Sequence, residues 1–339
     1  MTLRVLVIKL GALGDVVRTL SILPAIKEKY PDSEIFWITK KESLDLFFGN
    51  PLVKKVFSIP YKVNEKEKFD ILYNFDVDED ATKLASEIKA DKKYGFYSED
   101  GFPAAFNISS EYYLNTMFDD ELKKNNKKTY HEMIFEVAEL GYNKQHCQIY
   151  LTKKDKDYAK NFAKENKINK DKLIGIHLGA SSRWPSKVWH SDNLNEFITK
   201  AVKLGYEIIL FAGPNEIEKH EKISSKLKNE GIKIYQNNPK NTNGEFASLV
   251  NLCKIMVCSD SFALHVSIAL KKPTIGLFFC TSPHEIEGYG ILKKIVSFKL
   301  EDFFPERMNE YDEGLVKSIL AETVLKEVED VMRKPEQNK

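Results

Sequence analysis

At 339 residues the chain exceeds what one hydrophobic core usually organises, so two domains are expected. A formal net charge of +1 with 42% hydrophobic residues suits a soluble globular protein and gives no bulk-charge argument for a nucleic-acid partner. No apolar run approaches the ~20 residues that span a bilayer. The N-terminus enters a strand with no signal peptide, which together with the cysteine usage points to a reducing, cytoplasmic compartment.

The first predicted element is the apolar run Val5 to Ile8, a buried strand. A turn with Gly11 and Gly14 follows, then a helical pattern from Val16 to Tyr30. Strand, glycine turn and helix open an α/β unit, whose loop lies at the carboxyl end of the strand, where open parallel sheets bind ligands. Gly14 lets backbone come close to a ligand. Asp15, in the first helical turn, is favoured by the helix dipole and is expected to stay ionised. It is a candidate base or a helix cap, and the stretch taken alone favours the cap. The glycines are spaced G-x-x-G and the next strand ends in Thr39-Lys40-Lys41, so a dinucleotide fingerprint is missing. No G-K-[ST] follows Gly14, so there is no phosphate P-loop.

Further strands are expected at Glu34–Ile38, Val53–Ile59, Phe69–Asn74 and Lys93–Tyr97, and helices at Leu44–Phe48, Glu79–Lys89 and Tyr130–Leu140. Their alternation implies a parallel sheet with helices on both faces. Gly101 to Asn126 is irregular and rich in aromatics, either a recognition surface or satellite core. The polar, Lys-rich stretch 143–172 holds the domain boundary, with one helix near Asp155–Glu165. The expected partition is 1–165, 166–312 and a closing helix with tail over 313–339, which could pack back across the junction.

The second half repeats the alternation from a strand at Leu173–Leu178. Three loops after strands gather chemistry there. His177 to Trp189 carries Ser181, Ser182, Arg183 and Lys187, a phosphate-friendly lining. Only five of the 51 basic residues are arginines, so Arg18 and Arg183, each beside such a loop, carry more weight than a lysine would. Ala212 to Glu216 is a Gly-Pro turn ending in an acid that suits ribose hydroxyls or simply a helix N-terminus. Cys258 to His265 places Asp260 and Ser261 where strand becomes helix, and free N–H groups at that helix start suit a diphosphate. Asp260 would repel phosphate, so it either caps the helix or holds a sugar. His265 is either a site residue or a hydrogen-bonded core histidine. The cysteines, 147, 253, 258 and 280, form no C-x-x-C pair and no His cluster completes a zinc spacing, so no metal is expected.

GALGD near the start, then HLGASSRWPSKVW, AGPNE and SDSFALHVSIALKKPTIGLF, resembles in order and spacing glycosyltransferase family 9, the heptosyltransferases of lipopolysaccharide core assembly. The resemblance runs from Val5 to about Pro283. It implies a GT-B fold, two Rossmann-like domains facing each other across a cleft, with acceptor on the first and nucleotide-sugar on the second. It also implies an inverting, metal- and cofactor-free transfer from ADP-heptose to a glycolipid acceptor, with transient contact at the inner face of the cytoplasmic membrane.

Carried over residue by residue, the resemblance puts the catalytic acid on Asp15 and the leaving-group cation on Lys187. Donor contacts fall on Lys187, Glu216, Asp260, Ser261, Phe262 and His265; the reading of the loops adds Ser181 and Ser182 on the donor side and Gly14 and Arg18 on the acceptor side. Phe262 departs from the pattern, since the family has Gly there. Domain closure is expected to bring Asp15 and Lys187 together. Arg18 either holds an acidic group of the acceptor or forms an ion pair within its own domain. The competing classes are a transferase for another nucleotide-sugar and a non-catalytic two-lobed binding protein.

Overall fold

The computed structural model describes residues 2–64, 67–177, 179 and 183–333, which form two compact α/β units. The first comprises Met1–Tyr150 with His284–Glu287, and the second Leu151–Pro283 with Gly288–Lys339.

The first unit is built on strands β1 (Arg4–Ile8), β2 (Glu34–Thr39), β3 (Val53–Ser58), β4 (Phe69–Asn74), β5 (Ala90–Glu99) and β6 (Phe102–Ala105), in the sheet order β3-β2-β1-β4-β5-β6. The first five are parallel. Val5 to Ile8 form one uninterrupted apolar run because both faces of the sheet are covered and all four residues are fully buried. Leu6, Ile8, Phe36, Ile38 and Leu72 pack on one face with Ala81 and Leu84 of the helix Glu79–Glu87.

Three features differ from the sequence expectation. The helix expected over Val16–Tyr30 is two helices, Leu13–Thr19 and Ile22–Lys29. Pro24 has no N–H to offer the Leu20 carbonyl and its ring crowds it, so the first helix cannot run on through this point. Gly14 accordingly lies inside the first helical turn, not in the preceding loop. The aromatic stretch begins with a hairpin: β6 runs antiparallel to β5 across Asp100-Gly101, both at positive φ (50° and 88°). Its aromatics divide. Tyr113 is buried and Phe106 packs on the core, while Phe102 and Phe118 are exposed.

The second unit contains β7 (Leu173–His177), β8 (Glu207–Phe211), β9 (Tyr235–Gln236), β10 (Ile255–Ser259), β11 (Thr274–Phe278) and β12 (Leu292–Val296), all parallel, in the order β12-β11-β10-β7-β8-β9. Counted from its own first strand, this order is the first sheet's read in reverse, so the two units share one winding. The helix Lys153–Asn166 belongs to this second unit, which places the division after Tyr150 rather than at 165. Thr152 and Asp155 cap it reciprocally, Asp155 lies against Gly244, and Asn241 Nδ2 donates to Tyr158 Oη at 2.8 Å. The closing helix, Ala321–Arg333, is part of this unit's core: Val324 and Val328 pack with Phe197, Ile198 and Leu210. The four cysteines are free buried thiols, and burial pushes Cys147 up to about 12 and Cys280 to about 11. Among the described residues no helix is long and apolar enough to cross a membrane.

Candidate functional site

In the first sheet the winding reverses between β1 and β4, which pair from Val5↔Ile71 to Ile8↔Asn74. Loops leaving these two strands diverge and open a crevice at their carboxyl ends. Gly14, Asp15 and Arg18 come together there. Ala12, not Asp15, occupies the N-cap position of the helix Leu13–Thr19, and no side chain caps it. Asp15 is the third helical residue. Its Oδ1 meets Arg18 Nη2 at 2.7 Å, so the ion pair within the domain is present. The Arg18 guanidinium lies over Tyr130, its Cζ 3.6 Å from the ring centroid. Burial opposes its charge, but Asp15 and Tyr130 more than compensate and hold Arg18 further above its ordinary range. Arg18 Nε is buried and has no hydrogen-bond partner among the described residues. The Tyr130 hydroxyl shares a 2.6 Å hydrogen bond with Thr19 Oγ1, which also meets the Asp15 carbonyl at 2.6 Å.

Two further charges sit at the same crevice, and the sequence reading missed both. Lys9 and Asp76 are buried and form an ion pair, Nζ to Oδ1, at 2.5 Å. Lys9 Nζ also donates to the Phe75 carbonyl at 3.0 Å. The second carboxylate oxygen of Asp76 accepts from the backbone N–H of Leu10 and, at 3.0 Å, of Gly11. Burial works against the Lys9 ammonium, yet Asp76 first and then Tyr130 and Tyr113 keep it charged.

In the second sheet the reversal falls between β7 and β10, paired from Ile174↔Ile255 to Ile176↔Val257. Here Lys187, Asp260 and His265 converge. Lys187 Nζ lies 2.9 Å from Asp260 Oδ2, and His265 Nε2 lies 3.6 Å from Asp260 Oδ1. Burial penalises the carboxylate, but Lys187 and His265 hold Asp260 well below the usual carboxyl range. Lys187 also lies 4.5 Å from the centroid of Trp184, whose ring carries Arg183 at 5.2 Å. Asp260 therefore neither caps the helix Phe262–Ala269 nor faces a ligand alone; the N-cap is Ser261. Ser261 Oγ is 3.4 Å from His177 Nδ1. Phe262 stacks on Phe246, 5.3 Å between centroids, and Phe246 in turn meets the edges of Phe211 and His177.

Glu216 ends a short turn, and the Gly213 N–H donates to its Oε2 at 2.8 Å. A Cβ on Gly179 would fall 2.6 Å from Glu216 Cδ, so the loops after β7 and β8 touch through a glycine with no room for a side chain. Ser181 and Ser182 lie outside the described residues. Lys219, one turn beyond Glu216, was also missed. It lines a small cavity with His177, Cys258 and Ser259. Burial pulls its ammonium down to about 8 against the opposing pull of Glu216. Trp189, which closes the loop after β7, is structural, since its Nε1 donates to the Ile319 carbonyl at 2.9 Å inside the core.

A family model described as glycosyltransferase family 9 (heptosyltransferase) matches residues 62–315. Lipopolysaccharide heptosyltransferase 1 of Campylobacter coli is 23% identical over 318 residues, covering 87% of this chain and 89% of that protein. Among solved structures, a family 9 glycosyl transferase from Veillonella parvula superposes with a TM-score of 0.77 at 20% identity, covering 97% of each chain. The E. coli ADP-heptose LPS heptosyltransferase II superposes with a TM-score of 0.71 at 18% identity, covering 97% of this chain and 98% of that one.

Proposed function

The chain belongs to glycosyltransferase family 9 and has the GT-B fold, and on that footing we propose that it transfers heptose from ADP-heptose to an inner-core acceptor of lipopolysaccharide, inverting the anomeric centre without a metal ion. The acceptor is assigned to the first unit and the donor to the second.

The observation that carries this reading is Asp15. Its carboxylate is about one-third exposed, at 35%, at the carboxyl end of β1, whereas Asp76 beside it is buried and saturated. An acid that is paired yet reachable suits a general base for a sugar hydroxyl attacking the anomeric carbon, help worth ~10²–10⁴ in rate. Arg18, ion-paired to it with a side chain still 16% exposed, is the cation assigned to an acidic group on the acceptor. On the donor side, Lys187 supplies the cation for charge building on the departing diphosphate, and Ser261 with the start of its helix supplies dipoles. Asp260 engages Lys187 and His265, and its role toward the donor is to hold the sugar. Glu216, against the Gly179 backbone, takes the ribose hydroxyls. A lipid-linked acceptor brings the enzyme to the inner face of the cytoplasmic membrane.

Phe262 favours a second reading. Its ring, stacked on Phe246, stands where the family resemblance expects the absence of a side chain, and this suits a transferase for a different nucleotide-sugar.

The test is release of ADP from ADP-heptose in the presence of a lipid-linked inner-core acceptor, with the product's anomeric configuration read by NMR and EDTA expected to leave the rate unchanged. Asp15→Asn and Lys187→Ala should each lower kcat by about 10² or more. Wild-type turnover in both variants sinks the assignment. A thermal-shift panel of nucleotide-sugars decides the donor, because a ligand at ~100 times its Kd adds ~2.7 kcal/mol.

A further inference from the structure

We propose that Asp76 is a positioning residue for Asp15: its carboxylate is the mould on which the loop between β1 and the helix Leu13–Thr19 sets, and Lys9 is present to make that buried carboxylate tolerable. This rests on the reading of Asp15 as the base.

The loop from Lys9 to Ala12 leaves the sheet at its winding reversal: the Lys9 amide still donates to the Ile38 carbonyl of β2 at 3.1 Å, and the Leu10 and Gly11 amides that follow lie past the end of that ladder. Its backbone N–H groups need acceptors, because a buried amide left unpaired costs about 1–3 kcal/mol. Asp76, 66 residues further on in sequence from Leu10, supplies them: one oxygen takes both the Leu10 and Gly11 amides. The other oxygen meets Lys9 Nζ. Asp76 is itself held. Its N–H donates to Asn74 Oδ1 at 3.1 Å, while Asn74 Nδ2 donates to the Asp76 carbonyl at 3.0 Å and to the Phe96 carbonyl at 2.7 Å. The acceptor is thus clamped to β4 and β5 before it touches the loop.

The loop hands this geometry to Asp15 through Gly11. A Cβ on Gly11 would lie 3.2 Å from Asp15 Cβ and Oδ2 and 3.4 Å from Asp76 Oδ1. Gly11 therefore lies against both carboxylates, and whatever fixes Gly11 fixes the surface against which Asp15 rests. The second unit shows that this is not a feature of the winding alone. At the corresponding reversal Asp260 also pairs with a lysine, but its contacts among the described residues are with the side chains of Lys187 and His265. The first unit's carboxylate is spent on backbone and the second unit's on side chains.

The inference makes the shape of Asp76 matter more than its charge, and that separates it from a plain stabilising ion pair. In a Lys9→Met background, which removes the uncompensated cation, Asp76→Asn keeps an amide acceptor whereas Asp76→Leu removes it. Steady-state kinetics on both double variants should give kcat at least tenfold lower for the Leu than for the Asn version, with donor and acceptor KM within twofold of each other. Hydrogen exchange at the Leu10 and Gly11 amides should be at least tenfold faster in the Leu version. Equal kcat, or a difference carried in KM, overturns the proposal, as does unchanged amide exchange. Asp76→Glu, which keeps the charge but moves the oxygens by one methylene, is a second probe should the Leu version not fold; it should lose at least tenfold in kcat, and wild-type kcat overturns the proposal. Asp15→Asn is measured alongside. If it keeps wild-type turnover, the base reading falls and this proposal falls with it. If it is inactive while the double variants are equal, only this proposal falls.

Discussion

His177, the last residue of β7, carries a prediction that can be worked through in numbers. Burial pulls its imidazole from the ordinary 6.5 down to about 4, and nearby Lys219 adds to the fall. The folded state therefore binds fewer protons than the unfolded state between pH 4 and pH 6.5, so stability rises with pH across that window. The contribution is fully present above pH 6.5 and is lost as pH falls toward 4. A depression of about 2.5 units at about 1.36 kcal/mol each gives at most about 3 kcal/mol. Between pH 7.5 and pH 5 the same relation gives about 2 kcal/mol, an upper bound because solvent reaches the edge of the residue. In a unit of this size that is about 4–8 °C in Tm. The perturbation is His177→Gln, which keeps a polar side chain opposite Ser261 Oγ and cannot titrate. Thermal unfolding of wild type and variant is followed at pH 7.5 and at pH 5. Wild type should lose about 4–8 °C more than the variant on acidification. Equal losses in the two proteins would refute the reasoning, because the acid sensitivity would then belong to other groups.

Gly179→Ala pushes a Cβ to 2.6 Å from Glu216 Cδ, so the carboxylate must leave the Gly213 amide. ADP affinity by calorimetric titration should fall about tenfold, which is ~1.4 kcal/mol, and an unchanged Kd removes Glu216 from the nucleotide site. Gly95→Ala puts a side chain at φ +92° with its Cβ against the Asn74 carbonyl, beside the residue that clamps Asp76. Strain and overpacking together predict a loss of roughly 2–4 kcal/mol in urea unfolding. Phe262→Ala deletes the ring stacked on Phe246 and should cost about 1–3 kcal/mol by the same measurement. If that variant also gains affinity for ADP-heptose in the thermal-shift panel, the ring is what sets donor choice.

The parts of this protein that were legible before any coordinates share a physical cause. Strands buried on both faces write themselves as short apolar runs, so Val5 to Ile8 and the strand opening at Leu173 stood out. Loops that follow strands and carry small, hydroxyl-bearing or charged residues suit ligands, which is why Asp15, Lys187, Glu216, Asp260 and His265 stand out as candidates from spacing and resemblance. Some misses had a visible signal. Asp100-Gly101 is a hairpin turn by composition, and Pro24 marks the break between two helices. The helix over Lys153–Asn166 could not be given to the right unit from its own residues. Its partners, Asn241 and Gly244, lie some 80 residues away.

Lys9 and Asp76 show where local reading stops. In sequence, Lys9 is a lone cation closing an apolar run and Asp76 is a polar residue after a strand, and neither spacing nor period connects them. Sequence alone determined that strands alternate with helices, where the loop after each strand begins and which side chains it carries. Only the tertiary structure decided strand order, by placing β1 beside β4 and β7 beside β10. The reason is that pairing in a parallel sheet is a long-range choice, governed by how crossovers pack, and the charges at the strand ends become neighbours only after that choice is made.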